Sequence, residues 1–127
     1  MFKRVALIGM TASAVVISGL AVAAPASASS VTTVYTNGTA AGRGYFDSNG
    51  EHFTACDVKT DGYGVQIDWY VVTNTSNNGS VHDFTGNDGV CVDQNASIAE
   101  GKAVNYRVCL TDNGFEIACT AYVRDYA

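Results

Sequence analysis

An imidazole beside a carboxylate is the commonest seed of a hydrolytic site, and in this chain the two are adjacent at His82-Asp83. Nucleophilic hydrolysis needs a base within reach of a serine, cysteine or threonine, and a third group to orient that base. Neighbouring residues on a strand point to opposite faces, so Asp83 does not orient its own neighbour's ring. No Gly-x-Ser-x-Gly elbow is present. The chain is therefore read as non-enzymatic, with no catalytic residues. For calcium, Asp47-Ser48-Asn49-Gly50-Glu51 places oxygens at alternate positions, and Asn87-Asp88 or Asp112-Asn113 offer more. The ligand spacing of an EF-hand loop is absent, and Asp, Asn and Gly are what tight turns require. No metal or cofactor is expected.

The cysteines carry a different chemistry. There are four, Cys56, Cys91, Cys109 and Cys119, with no C-x-x-C spacing, and neither His52 nor His82 stands at ligand distance in sequence. An even count in a small exported chain reads as a disulfide framework. Three connectivities are open. Cys56–Cys91 with Cys109–Cys119 is favoured, because the second pair flanks a hairpin. A two-residue turn in that hairpin puts Cys109 and Cys119 on opposite faces, so their bridge needs a longer loop or a bulge at Gly114.

Export itself is written at the start. Met1-Phe2-Lys3-Arg4 is basic, Val5 to Ala24 is apolar, and Pro25-Ala26-Ser27-Ala28 supplies an A-x-A exit, which together read as a signal peptide over 1–28. The rival, an uncleaved anchor, needs about 20 apolar residues. Gly9, Ser13, Ser18 and Gly19 dilute the run, and no basic cluster follows it. What remains is one domain of about 100 residues, small for a single core. The whole chain carries a formal charge of −5, and loss of Lys3 and Arg4 makes it more negative. An anionic surface disfavours nucleic acid and anionic membrane, so neither is an expected partner. Sequons at Asn37, Asn74, Asn78 and Asn95 fit a chain rich in Ser and Thr.

The elements that must position any site are strands. Residues alternate at period two between turn signals, with β-branched and aromatic side chains filling the runs. Val31 to Thr36 is a strand or an extended arm, and Asn37 to Gly42 is flexible. Strands are expected over Arg43–Asp47, Glu51–Val58, Tyr63–Thr73, Val81–Thr85 and Gly89–Asp93, with a polar loop over Asn74–Ser80. In the clearest of them Val65, Ile67, Trp69 and Val71 share one face, which makes Trp69 a core residue. A hairpin ends the chain, turning at Asp112-Asn113-Gly114; a two-residue turn pairs Leu110 with Ile117 and Val104 with Val123. Roughly seven or eight short strands without a helix point to an all-β sandwich or small barrel. Ile98-Ala99-Glu100-Gly101 leading into Val104 to Val108 resembles the corner of immunoglobulin-like and fibronectin-III-like sandwiches. In that likeness Tyr106 hydrogen-bonds back to the corner. The expected organisation is an arm over 29–42 and an immunoglobulin/fibronectin-III-like sandwich over 43–127 with two disulfides.

Tyrosine offers contact area at low rotamer entropy, and the chain has seven. Partner-binding candidates are Val31, Val34 and Tyr35 on the arm, together with Tyr45 and Tyr70. Residues 43–123 resemble small secreted proteins of filamentous actinobacteria. The likeness rests on Gly44-Tyr45-Phe46, Glu51 to Asp57, Asp61 to Val65, Glu100-Gly101 and Tyr106 to Leu110. Among these the chain looks like the adaptor subunit of umbrella toxin particles, a secreted protein joining a lectin-like subunit to a large toxin scaffold. The resemblance implies that the arm engages the lectin-like part and the sandwich grips the scaffold. A second reading is a proteinaceous inhibitor of an extracellular hydrolase, with Asp112 to Glu116 as its loop. The amylase-inhibitor triplet Trp-Arg-Tyr is absent, since Tyr70-Val71 follow Trp69. A third reading is a carbohydrate-binding module stacking sugars on Tyr45, Tyr63 and Tyr70.

Overall fold

The computed structural model describes residues 29–127, so the expected signal peptide over 1–28 lies outside the described residues. Nine strands follow one another: β1 (Ser29–Thr36), β2 (Thr39–Asp47), β3 (His52–Asp57), β4 (Gly64–Val71), β5 (Asn74–Asp83), β6 (Val92–Asn95), β7 (Ala103–Asp112), β8 (Phe115–Cys119) and β9 (Val123–Tyr126). They form two antiparallel sheets. The first has the order β1-β2-β3-β6; the second has β5-β4-β7-β8, with β9 also paired to β7. Setting β1 aside, β2-β3-β6 facing β4-β7-β8 is the A-B-E over C-F-G order of immunoglobulin-like sandwiches. β5 is added beside β4, and β1 is added outside β2.

The period-two pattern places the core as expected. Val65, Ile67, Trp69 and Val71 are buried, while Gln66, Asp68 and Tyr70 are only partly covered. Trp69 lies flat against Phe53 of the facing sheet, with ring centroids 4.9 Å apart and planes within 6°. Phe46 packs on Phe53 at 4.8 Å, and Tyr106 closes the group at 6.0 Å from Phe53. Both disulfides have the favoured pairing, Cys56–Cys91 and Cys109–Cys119. Cys109–Cys119 links the paired strands β7 and β8, and Cys56–Cys91 ties β3 to the residue just before β6. Neither bridge crosses between the layers, which are joined by the packed aromatic and aliphatic core.

Where the layers come closest, glycine is required. A Cβ on Gly44 would stand 2.3 Å from Val108 Cγ2 and 3.0 Å from Ile67 Cγ1. Gly44→Ala is expected to cost about 1–3 kcal/mol through overpacking, read as a lower urea midpoint at unchanged slope. An unchanged midpoint would mean that the sheets are free to part there.

Four expectations are corrected. The segment 29–42 is not a flexible arm but a hairpin of the first sheet, paired along its length from Ser29↔Asp47 to Thr36↔Thr39. Its turn, Asn37-Gly38, has φ of 49° and 75°, the doubly left-handed form that matches strand twist. The glycine-rich stretch is thus turn and strand. Val34 faces the core rather than a partner, being only 6 % exposed. The second correction is Asn74–Ser80, part of strand β5 rather than a loop. It lies at the sheet edge, where polar side chains reach water and discourage unwanted pairing. Third, β6 begins at Val92 rather than Gly89. Fourth, Tyr106 does not bond back to the corner; its hydroxyl shares a 2.7 Å hydrogen bond with Ser30 Oγ on β1.

The final hairpin has neither a longer loop nor a bulge at Gly114; its bulge is at Ile117. Asn113 and Gly114 have φ of 48° and 81°, a two-residue turn pairing Asp112 with Phe115. The register then shifts between Leu110 and Thr111, leaving Ile117 unpaired, so Leu110 faces Ala118 and Cys109 faces Cys119. Val104 accordingly pairs with Asp125, and Val123 with Tyr106.

Candidate functional site

The outer faces of the two sheets are the surfaces on offer. On the first sheet, residues alternating with the buried Val34 project outward from β1: Val31, Thr33 and Tyr35. Val31 stands directly opposite Tyr45, Tyr45 opposite Thr54, and Thr54 opposite Asp93, a row crossing all four strands. Val31 is 56 % exposed and Tyr35 62 %. A shallow depression of about 350 Å³ runs beside them, lined by Ser29, Val31, Tyr45, Asp47 and Thr54 among others. At its far side His52 Nδ1 lies 2.7 Å from Asp93 Oδ2, and Thr54 Oγ1 donates to Asp93 Oδ1 at 2.8 Å. The Thr54 hydroxyl above all holds the Asp93 carboxyl below its usual range, against the opposing effect of burial and with further help from His52.

The second sheet carries a larger open groove of about 530 Å³, lined by Asp68, Trp69, Tyr70, Thr75, Asn78 and Tyr122 among others. Tyr70 and Tyr122 meet edge to face at 5.4 Å, and the Arg107 guanidinium lies 5.1 Å from the Tyr122 ring centre. Asn105 Nδ2 donates to the Tyr70 hydroxyl at 2.8 Å, fixing that ring. Beside the groove, Arg107 Nη2 donates to Glu116 Oε2 at 2.9 Å and to Asp68 Oδ2 at 3.3 Å. Gln66 Nε2 donates to Asp68 Oδ1 at 2.6 Å, and Ser80 Oγ adds a bond of 2.8 Å. Burial pushes the Asp68 carboxyl up, but hydrogen bonds with Glu116, Gln66, Ser80 and Arg107 outweigh it and hold the group low. Glu116 moves the other way, raised by its hydrogen bond to Asp68 and then by burial, with Arg107 opposing. These donors bind the two carboxyls into a rigid polar wall for the groove.

Of the sequence candidates, the structure brings Val31, Tyr35 and Tyr45 to one face. Val34 is in the core, and Tyr70 belongs to the opposite face. Tyr45, Tyr63 and Tyr70 do not form a shared stacking platform, because Tyr63 sits in the loop before β4. His82 is exposed while Asp83 is wholly buried, so the adjacent pair does point apart. The histidine that meets a carboxylate is His52, whose partner lies 41 residues away. Tyr122 and Arg107 were missed; only the register of β7 against β4 and β8 reveals them. The turn at Asp47 uses its carboxylate locally, accepting the Asn49 amide at 2.9 Å. The described residues thus form an antiparallel β-sandwich braced by two disulfides. No protein-family model, curated protein or solved structure matches the chain.

Proposed function

We propose that this chain is a secreted, non-enzymatic binding protein that joins larger secreted proteins, with a lectin-like subunit and a toxin scaffold as the partners its sequence resemblance implies. The observation that carries the reading is the exposed apolar row on the first sheet, where Val31 and Tyr45 face each other across the ladder and Tyr35 extends it. Aromatic and aliphatic side chains held rigid on paired strands lose little entropy on contact, which suits them to anchor a partner. The Tyr70–Tyr122 groove lies on the other sheet, so two partners have separate surfaces to engage. Disulfides are compatible with an extracellular setting. Among the described residues no helix is long and apolar enough to cross a membrane.

A second reading, inhibition of an extracellular hydrolase, is favoured by one feature. Phe115 is 75 % exposed at the tight turn of β7–β8, and Cys109–Cys119 staples the strands behind it. That is the build of a rigid loop able to enter a cleft. Capture from culture medium separates the two. The adaptor reading expects two large secreted proteins, with capture of at least one falling tenfold or more in Val31→Asp/Tyr45→Asp while the melting temperature holds. The inhibitor reading expects one hydrolase, lost in Phe115→Asp. Capture untouched by the first variant would end the adaptor reading on this face.

A further inference from the structure

Five strands stand at sheet edges, and four of them carry a feature that discourages pairing with another chain. β6 and β9 have four residues each. β8 has five, with the charge of Glu116 and an unpaired Ile117. β5 is longer, but its register jumps from Asn78 to Asn74, so a wide bulge breaks it. β1 is different. Ser29–Thr36 is a run of eight residues, each a serine, β-branched or aromatic, with no charge, proline or glycine. The register shift in its hairpin places the extra residue, Ala41, in β2, so β1 itself stays regular.

The backbone of β1 alternates in what it offers. Thr36 and Thr39 flank a two-residue turn, and the pair closing such a turn exchanges both backbone hydrogen bonds. Bonded pairs alternate along an antiparallel ladder, so the amides and carbonyls of Val34, Thr32 and Ser30 also turn towards β2. Those of Val31, Thr33 and Tyr35 turn away, to the open edge. Among the described residues β1 pairs with β2 alone, and no turn or loop backbone bonds to these three. The same residues carry the outward side chains, with Val31 and Tyr35 exposed and Thr33 half-buried. Unpaired backbone and exposed apolar side chains thus lie along one regular strand.

We propose that β1 pairs antiparallel with β1 of a second copy of this chain, with Thr33 on the two-fold axis, joining two four-stranded sheets into one. Such a contact is isologous and closes on itself. Centred on Thr33, the register opposes residues whose free backbone groups and side chains both point the required way. Thr33 faces Thr33, and Val31 faces Tyr35 of the second copy. A threonine pair and an aromatic–β-branched pair are favourable cross-strand neighbours. On the inward face Thr32 meets Val34, and Ser30 meets Thr36. No pair along the seam brings two charges together, although the chain is acidic overall at −5. Within each copy Tyr45 stands opposite Val31, so the seam extends that row to Tyr35 of the second copy. The outer face stays open, and the pairing does not rest on the partners proposed above.

The test is sedimentation equilibrium of the purified chain with no other protein present. At high-micromolar concentration the mass is expected to be twice that of the chain. Association should tighten with added salt, which screens repulsion between two acidic copies. Thr33→Glu should weaken it by about tenfold or more, because two carboxylates then face each other across the axis. The same substitution should not lower the melting temperature of the monomer, since Arg43 stands opposite position 33 within the copy and gives the new carboxylate a partner. Thr33→Cys reports the register: Cα atoms of a bonded pair lie about 5.5 Å apart, within disulfide reach. Oxidised glutathione should convert that variant to a covalent dimer and leave Tyr35→Cys, placed off the axis, largely uncrosslinked. A monomer at high-micromolar concentration, a dimer unweakened by Thr33→Glu, or equal crosslinking of the two cysteine variants overturns the proposal.

Discussion

Trp69→Ala is expected to lower the unfolding free energy by about 3–5 kcal/mol, the range for emptying a large aromatic site in a core. The indole lies flat on Phe53 at 4.9 Å, and that stack is the central contact between sheets with no disulfide running between them. Its Nε1 also donates to Gln94 Oε1 at 3.3 Å, tying β4 to the short exposed strand β6. Above the ring, β5 carries Gly79, where a Cβ would fall 2.8 Å from Trp69 Cζ2. The two positions must therefore couple. Gly79→Ala should be destabilising in the parent and close to neutral in the Trp69→Ala background, both measured by urea unfolding. A cost for Trp69→Ala below about 1 kcal/mol would show that the layers are held elsewhere.

Removing the disulfides should separate them by loop length. The Cys56–Cys91 bridge spans 35 residues and Cys109–Cys119 spans 10. By chain entropy alone, their loss costs about 4 and about 3 kcal/mol respectively. The double alanine variants Cys56→Ala/Cys91→Ala and Cys109→Ala/Cys119→Ala measure the two costs separately, again by urea unfolding. The first bridge should matter more for a further reason: it holds β6, whose four residues are all exposed and which pairs with β3 alone. The order reverses only if the shorter bridge also maintains the Ile117 bulge; then its loss would let β8 slip by a residue. Equal stability of parent and both variants would remove the disulfides from any account of this fold.

The site was less visible than the fold. Val31, Tyr35 and Tyr45 were recognisable as sticky residues by type, yet Val34 has the same type and lies in the core. The difference is one step of strand alternation, which is readable only once the segment is known to be paired. Tyr122 and Arg107 gain their roles from contacts across strands, so no local pattern marks them. Asp57 and Asp83 resemble ordinary turn residues along the chain. Only the meeting of β3 and β5 at one end of the sandwich brings the Asp57 amide to Asp83 Oδ2.

Composition, alternation and turn chemistry by themselves determined an all-β fold of sandwich or small-barrel type, the inward face of β4 with Trp69 in the core, and a turn at Asn113-Gly114. These follow from local rules: side chains alternate along any strand, and left-handed turns select Asn and Gly. Tertiary structure alone decided that residues 29–42 close a hairpin and that Asn74–Ser80 becomes an edge strand. It also decided that Cys109 reaches Cys119 through a bulge and that two aspartates meet between the sheets. Each of those depends on which strands become neighbours and in what register. That choice is made by the summed burial of both layers, and a single run of residues does not carry it.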